Sequence, residues 1–460
     1  MYKSANSEYQ QIGFNHFNQS CGLQLDPQNE WIKTAHRLPW DAWEPLYAAL
    51  FQGTNGVVAK PFRMVLGSFI IQLRMGFTDR DLVSQIQENP YYQYFLGLNE
   101  FQHNAPFTAP LLVGWRKRLN VPFIIKINDI LGSAIPDDSQ STFGGRKKQT
   151  LVATEICDAT VAPQNIRYPQ DTSLLNEARQ KLEGMIDQIC EKNNLEKPRT
   201  YRKVAHKNYL TFAKSKRPSE DFIRKTVQQQ LQFVQRDLKY VEGFLQQGYS
   251  FGEPEMSRLA TIRELYEQQK YMFNNHTHTV NNRIVSISQP YVRPVVRGKA
   301  HNPTEFGAKL HLSIDERGFA RIEYLAFEPF NEGPMLIPAL EAYKYRNGNY
   351  PNRVLVDQIY RTRNNIEFCR ENNIQLSGPK LGRKPADKSV RKQNAKIENQ
   401  DMTDRIQIER FFSTAKRRNG MGLIDKKRED TSLTTIAMSV LVTNIFGSFT
   451  LALEESKNKS

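Results

Sequence analysis

The sequence predicts an α/β protein, a mixed sheet with helices on both faces, interrupted by a helical insertion and preceded by an all-α region. Three observations carry that expectation. Short β-type runs at 151–158, 305–314, 319–327 and 353–357 are interleaved with helical segments. After the first run the period changes, and long polar helices continue from about 171 to about 275. Before it, 31–120 is helical and rich in aromatic residues. At 460 residues the chain exceeds what one simple core holds, so two or three units are expected.

The elements follow in order. Residues 1–30 read as a flexible N-terminus and 31–132 as a helical domain, with a strongly apolar stretch at 64–72 and an amphipathic one at 79–87. Breaks at Asn89-Pro90 and at 107–110 lead into 111–119, where Trp115, Arg116, Lys117 and Arg118 sit together. Helix, turn and basic helix in that order suit a helix-turn-helix DNA reader, and equally a bundle with a solvated basic end. Residues 133–149, rich in Ser, Gly and Asp, read as a linker. The catalytic domain is expected over 150–453, with an insertion at about 170–285 and a tail at 454–460. Within the insertion, 192–217 holds nine Lys or Arg against one Glu, interleaved with Tyr201, Tyr209 and Phe212. That mixture suits phosphates and stacked bases, with Lys203, Lys207 and Lys214 as contacts. Asp315 to Gly318 joins the second and third runs in a hairpin pattern. A helix is expected near 338–345 and another at 362–371. Residues 379–396 read as a basic mobile loop before a helix over 402–418.

Lys and Arg number 63 against 48 Asp and Glu, a surplus of +15 that attracts polyanions. Cys21, Cys157, Cys190 and Cys369 form no CxxC pair, which argues against a zinc site or disulfide framework and for a reducing compartment. The N-terminal stretch lacks the apolar core of a secretory signal, so a cytoplasmic, nucleoid-associated protein is expected. The uncharged segment 431–453 has helical one-face spacing and many Ser, Thr and Asn residues, which predicts a buried core helix rather than a membrane span. Gly144-Gly145 beside Arg146 lacks the P-loop pattern, so no nucleotide cofactor is expected.

Two of the β-type runs end in an aspartate, Asp158 and Asp357. Carboxylates at the ends of adjacent parallel strands converge even when far apart in sequence. A third acid lies on the helix near the C-terminus, where Arg405, Glu409 and Lys416 at i, i+4 and i+11 share one stripe. Alone, the Arg405 and Glu409 spacing also fits a surface ion pair.

Together these features resemble bacterial insertion-sequence transposases of the DDE superfamily, whose catalytic domain has an RNase H-like fold. The resemblance rests on Asp158-Ala159-Thr160, on Asp357-Gln358-Ile359-Tyr360, and on Arg405-x3-Glu409-x6-Lys416, the spacing of the Tyr-Arg-Glu-Lys helix of one large branch. Stretches at 293–299, 305–309 and 379–383 add to it, bringing Arg297, Lys299, Arg383 and Lys384 forward as DNA contacts beside Arg116 and Lys117. Two departures stand out. The position of the motif tyrosine is Met402, and all four tryptophans, Trp31, Trp40, Trp43 and Trp115, precede the catalytic domain, which leaves a hairpin mechanism open.

The resemblance implies an enzyme that cuts insertion-sequence ends and joins them to target DNA. Asp158, Asp357 and Glu409 would hold two Mg²⁺ (or Mn²⁺) ions about 4 Å apart. Arg405 and Lys416 would hold the strand by its phosphates. The partners implied are double-stranded DNA, both transposon ends and target, and a second copy of the chain on DNA, with no membrane. Two other readings share the same surfaces: an inactive DNA-binding regulator, and a stand-alone metal-dependent nuclease.

Overall fold

The computed structural model describes residues 25–51, 58–134, 152–296, 304–378 and 387–447. The chain divides into two compact units, one of residues 1–163, 309–326 and 330–460, the other of 164–308 and 327–329.

The first unit begins with α1 (Glu30–Arg37), α2 (Trp40–Ala48), α3 (Phe62–Met75), α4 (Asp79–Glu88), α5 (Pro90–Phe95), α6 (Leu111–Arg118) and α7 (Val121–Ser133). Their starts are written in the sequence. The side chains of Asn29, Thr78, Asn89 and Asn120 each accept a backbone N–H in the first turn of the helix they precede, and Pro90 occupies a first-turn position that needs no donor. The core of these helices includes Trp31, Trp43, Phe62, Phe69, Trp115 and Phe123. The same apolar cluster takes in Phe319 and, from α15 (Glu429–Ile445), Ala437, Met438, Leu441, Val442 and Ile445. The uncharged segment is therefore a core helix as far as Ile445, residues 448–453 lying outside the described residues, and no described helix is long and apolar enough to cross a membrane. Most of the expected linker lies outside the described residues. The N-terminal helices do not form a core of their own but share one with α15.

The sheet of this unit runs β4 (Ala320–Ala326), β3 (Thr304–Asp315), β1 (Thr154–Pro163), β5 (Arg353–Leu355), β6 (Gln375–Leu376). β1, β5 and β6 pair in parallel, and β3 and β4 form the expected antiparallel hairpin. Gly318, at φ +82°, closes its turn, a conformation that favours glycine. α12 (Leu336–Asn347) and α13 (Arg363–Glu371) pack with β1 and β5 around Cys157, Leu340, Val354 and Tyr360.

Two expectations need correction here. β1 does not stop at Asp158 but continues to Pro163, because 159–162 is still an apolar, buried run suited to a central strand. The helix expected from 402 begins fourteen residues earlier: α14 spans Lys388–Arg418, its first turn capped by the Asp387 side chain, so 388–396 is helix rather than loop. Its buried residues Asp401, Ile408, Phe412 and Ala415 form one stripe, while 387–400 is exposed or half-buried throughout.

The second unit contains α8 (Asp171–Asn193), α9 (Arg202–Ala213), α10 (Glu220–Gln246) and α11 (Glu253–Asn274), followed by β2 (Pro294–Val296), which pairs antiparallel with Thr304–Phe306 at the start of β3. Leu175, Leu182, Ile186, Val234, Val241, Leu259, Ile262 and Leu265 form its core. The predicted insertion is thus a compact helical body, broader than 170–285 by a few residues at one end and about twenty at the other.

Candidate active site

Asp158, Asp357 and Glu409 all belong to the first unit. β1 and β5 pair with Thr154 opposite Arg353 and Ile156 opposite Leu355. That offset of 199 residues also separates Asp158 from Asp357, so the register, continued two residues beyond the end of β5, sets Asp357 opposite Asp158. Asp357, exposed and two residues past the end of β5, turns the chain by accepting the Gln358 N–H at 2.6 Å ahead of the 3-10 turn Gln358–Tyr360.

α14 is anchored over these strands by a residue that sequence reasoning passed over. Arg353 on β5 donates from Nε to Thr154 Oγ1 of β1 at 2.9 Å and pairs with Asp401 at 3.3 Å and Asp404 at 2.7 Å on α14. The i, i+3 spacing of Asp401 and Asp404 on one helix face was the available signal. With the helix so held, Arg405 reaches two of the three catalytic candidates. Its Nη1 lies 3.8 Å from Asp158 Oδ2 and its Nη2 3.3 Å from Glu409 Oε1. The i, i+4 pair is therefore more than a solvated ornament of α14, since it also bridges to the sheet. Lys416 sits half-buried two turns beyond Glu409.

Asp158 is the most enclosed of the three, its side chain 19% exposed against 54% for Glu409. Burial pushes its carboxyl up to about 6, while the Ala159 N–H, bonded at 2.8 Å, and the Arg405 charge pull the other way and Glu332 and Asp357 add to the rise. Glu155 occupies the opposite face of β1, fully buried near Arg346 and Glu323.

Hard carboxylate oxygens are the donors that a divalent ion such as Mg²⁺ takes, and an enclosed carboxylate near two others gains from a cation, so the residue chemistry fits a metal. Among the described residues no three His, Cys, Asp or Glu side chains close into a ligand cluster. Arg405 stands between two of the candidates instead.

The basic candidates divide. Lys203, Lys207 and Lys214 are exposed on and just after α9, and Lys117 is exposed on α6. Arg116 is not: it is buried, its Nη1 donates to Asp79 Oδ2 at 2.9 Å, its Nη2 to Gln72 Oε1 at 2.7 Å, and its guanidinium lies over the Phe69 ring at 5.0 Å. It ties α6 to α3 and α4, and the expectation that it contacts DNA is withdrawn. Arg297, Lys299, Arg383 and Lys384 lie outside the described residues. Of the aromatics in the basic run, Tyr209 is buried and accepts from Arg167 at 2.9 Å, Phe212 packs on Phe222, and exposed Tyr201 carries Arg199 and Arg236 on its ring.

Residues 354–446, which contain Asp357 and Glu409, match the family described as Transposase DDE domain. Residues 20–118 match a second family, Transposase domain (DUF772). A curated relative, the uncharacterized protein ORF8 in the nfe locus of Rhizobium meliloti, is 25% identical over 181 residues, covering 39% of this chain and 82% of its own length. No solved structure matches significantly.

Proposed function

The two transposase matches support a DNA transposase of the insertion-sequence DDE kind, and from that premise we propose that the chain cuts the ends of its element and joins them to target DNA at a site built from Asp158, Asp357 and Glu409. The observation that carries the site is the Arg405 guanidinium between Asp158 and Glu409, with Asp357 set opposite Asp158 by the continued register of the neighbouring strand.

The three carboxylates would hold two divalent ions, which supply the charge that activates an attacking hydroxyl and stabilises the leaving oxygen. The chain's own groups do the positioning. Arg353 holds α14 against β1 and β5, and Arg405 links Glu409 to Asp158 of β1. Arg405, relieved of two carboxylates once they bind cation, is free to take a DNA phosphate with the fork of donors suited to it. Lys416 follows on the same face as a second phosphate contact, and the exposed lysines of α9 hold flanking DNA. Joining two ends at once calls for two copies of the chain on DNA.

The test is cleavage of the element's own end sequence with Mg²⁺ and a plasmid target. Asp158→Asn, Asp357→Asn and Glu409→Gln are each expected to abolish cutting while end binding and folding persist, because the amides remove charge without opening a cavity. Wild-type cutting by any one of them removes that residue from the site. Cutting without joining makes the chain a nuclease, and end binding without cutting in the wild type makes it a regulator.

A further inference from the structure

A fourth carboxylate, Glu332, lies within electrostatic reach of Asp158. Glu332 begins the short 3-10 turn Gly333–Met335 that leads into α12, and this turn is held against the Gln358–Tyr360 turn that follows Asp357. Asn365 clamps the two, donating to Gly333 O and to Tyr360 O, each at 2.7 Å. The approach is close enough that a Cβ at Gly333 would lie 3.3 Å from Ile359 O. Glu332 itself is held by Lys309 of β3, whose Nζ lies 2.8 Å from its Oε1 and also donates to Phe330 O at 2.8 Å. The pair is largely withdrawn from solvent, at 13% and 17% exposure.

A second observation points the same way. Tyr360 is fully buried, its hydroxyl has no hydrogen-bond partner, and its acidity is suppressed first by burial and then by the charges of Glu332, Cys157, Asp158 and Asp357. An unpartnered buried hydroxyl thus lies in the field of three carboxylates from three elements. Beside it His311, two residues from Lys309 along β3, stacks on the Tyr360 ring with centroids 5.7 Å apart and leaves both ring nitrogens without partners. A buried polar group is left unpaired at a cost unless something completes the site. The arrangement repeats that of Arg405: a protein cation, Arg405 there and Lys309 here, holds a carboxylate, Glu409 there and Glu332 here.

We propose that Glu332 is a fourth carboxylate of the cation site, kept paired to Lys309 until a divalent ion draws it toward Asp158 and Asp357. The assignment rests on the reading of Asp158, Asp357 and Glu409 as the metal site. On binding, the Lys309 ammonium exchanges one carboxylate partner for solvent or a DNA phosphate, and Glu332 ligates the ion directly or through its bound water.

The experiment is calorimetric titration of Mn²⁺ into the purified full chain without DNA, with melting in EDTA measured alongside. Glu332→Gln, which keeps a partner for Lys309, is expected to weaken Mn²⁺ binding about tenfold with an unchanged metal-free melting temperature. Lys309→Gln, which frees the carboxylate, is expected to tighten it. Asp357→Asn serves as the reference for the underlying site. Loss of binding in Asp357→Asn with wild-type binding in Glu332→Gln overturns the fourth carboxylate alone, and wild-type binding in both overturns the three-residue site as well. If Glu332→Gln does not fold, Lys309→Gln decides, and unchanged or weaker Mn²⁺ binding there overturns the proposal.

Discussion

The basic segment at 115–118 and the basic run at 192–217 read alike in sequence, and the structure treats them differently. In the first, Arg116 is spent on the fold: buried, paired with Asp79 and bonded to Gln72, it joins three helices. In the second the cations are divided among tasks. Lys197 and Arg202 pair with Asp187, Arg202 at 2.8 and 3.0 Å, whereas Lys203, Lys207 and Lys214 remain exposed. Counting charge therefore overstates a DNA-binding surface wherever a carboxylate waits one or two helices away. A cation in an ion pair and one free to meet phosphate carry the same letter.

The largest effect on folding is expected at Arg116. Arg116→Ala leaves the Asp79 carboxylate without its main partner, when the Arg116 bond and charge, with help from Gln72 and Lys426, presently outweigh burial and hold that carboxyl near 2. The expected loss is about 3 kcal/mol, the low end for breaking a buried pair, because Asp79 retains some solvent and Lys426 at 3.6 Å. Urea unfolding measures it. An unchanged midpoint with weaker binding to end DNA would restore Arg116 as a DNA contact.

A smaller effect, of opposite sign, is expected in the helical insertion. Asp237 is fully buried beside Arg236, and its Oδ2 has no partner. Burial pushes its carboxyl up to about 6 against the pull of Arg236, with Glu183 adding to the rise. A carboxyl raised in the folded state contributes stability that is fully present below about pH 4 and is lost as pH rises through about 6. Asp237→Asn keeps an acceptor for Arg236, removes that loss, and is expected to stabilise the protein at pH 7 by about 1–3 kcal/mol while flattening its stability between pH 4 and 6. Melting temperatures across that window check it, and a variant less stable than the wild type at pH 7 would mean that the Arg236 pair is net favourable.

The same contrast marks how far the sequence could be read. Four of the strands, the hairpin closed by Gly318, the helical insertion and the core helix α15 were legible because each has its own local period or turn residue, whereas the two- and three-residue strands β6 and β2 have none. The extension of α14 to Lys388 was not, because 388–400 presents no buried stripe and only the cap Asp387 announces it. The position of Asp158 within β1 was missed because the apolar text after it is strand, where a turn was expected. For the candidate site, the aspartates at two β-type runs and the spacing of Arg405 and Glu409 could be seen in one dimension. The contacts that assemble it could not: Arg353 meets Asp401 and Asp404 across about fifty positions, and Lys309 meets Glu332 across a hairpin. No local pattern encodes which distant carboxylate an arginine or lysine will find.

The last test concerns the cations that the fold leaves alone. Lys203, Lys207 and Lys214 stand at i, i+4 and i+11, within about 40° of one another around α9 and its C-cap, whereas the buried Ala205 and Tyr209 lie about 160° and 120° away from Lys203. The lysines therefore form one outward stripe, and reversing all three to Glu is expected to leave the unfolding free energy within about 0.5 kcal/mol of the wild type. Binding to end DNA should respond strongly. Each phosphate contact releases close to 0.9 of a counterion, so losing three lowers the slope of log affinity against log salt by about 2.7. A Gln series separates lost contacts from added repulsion, since neutral residues remove the counterion release without repelling the backbone. If neither series moves the slope, the stripe is only a solvated helix face and DNA must be held elsewhere. If the slope falls together with stability, these lysines are committed to the fold in the way Arg116 is, and the distinction between the two basic segments fails.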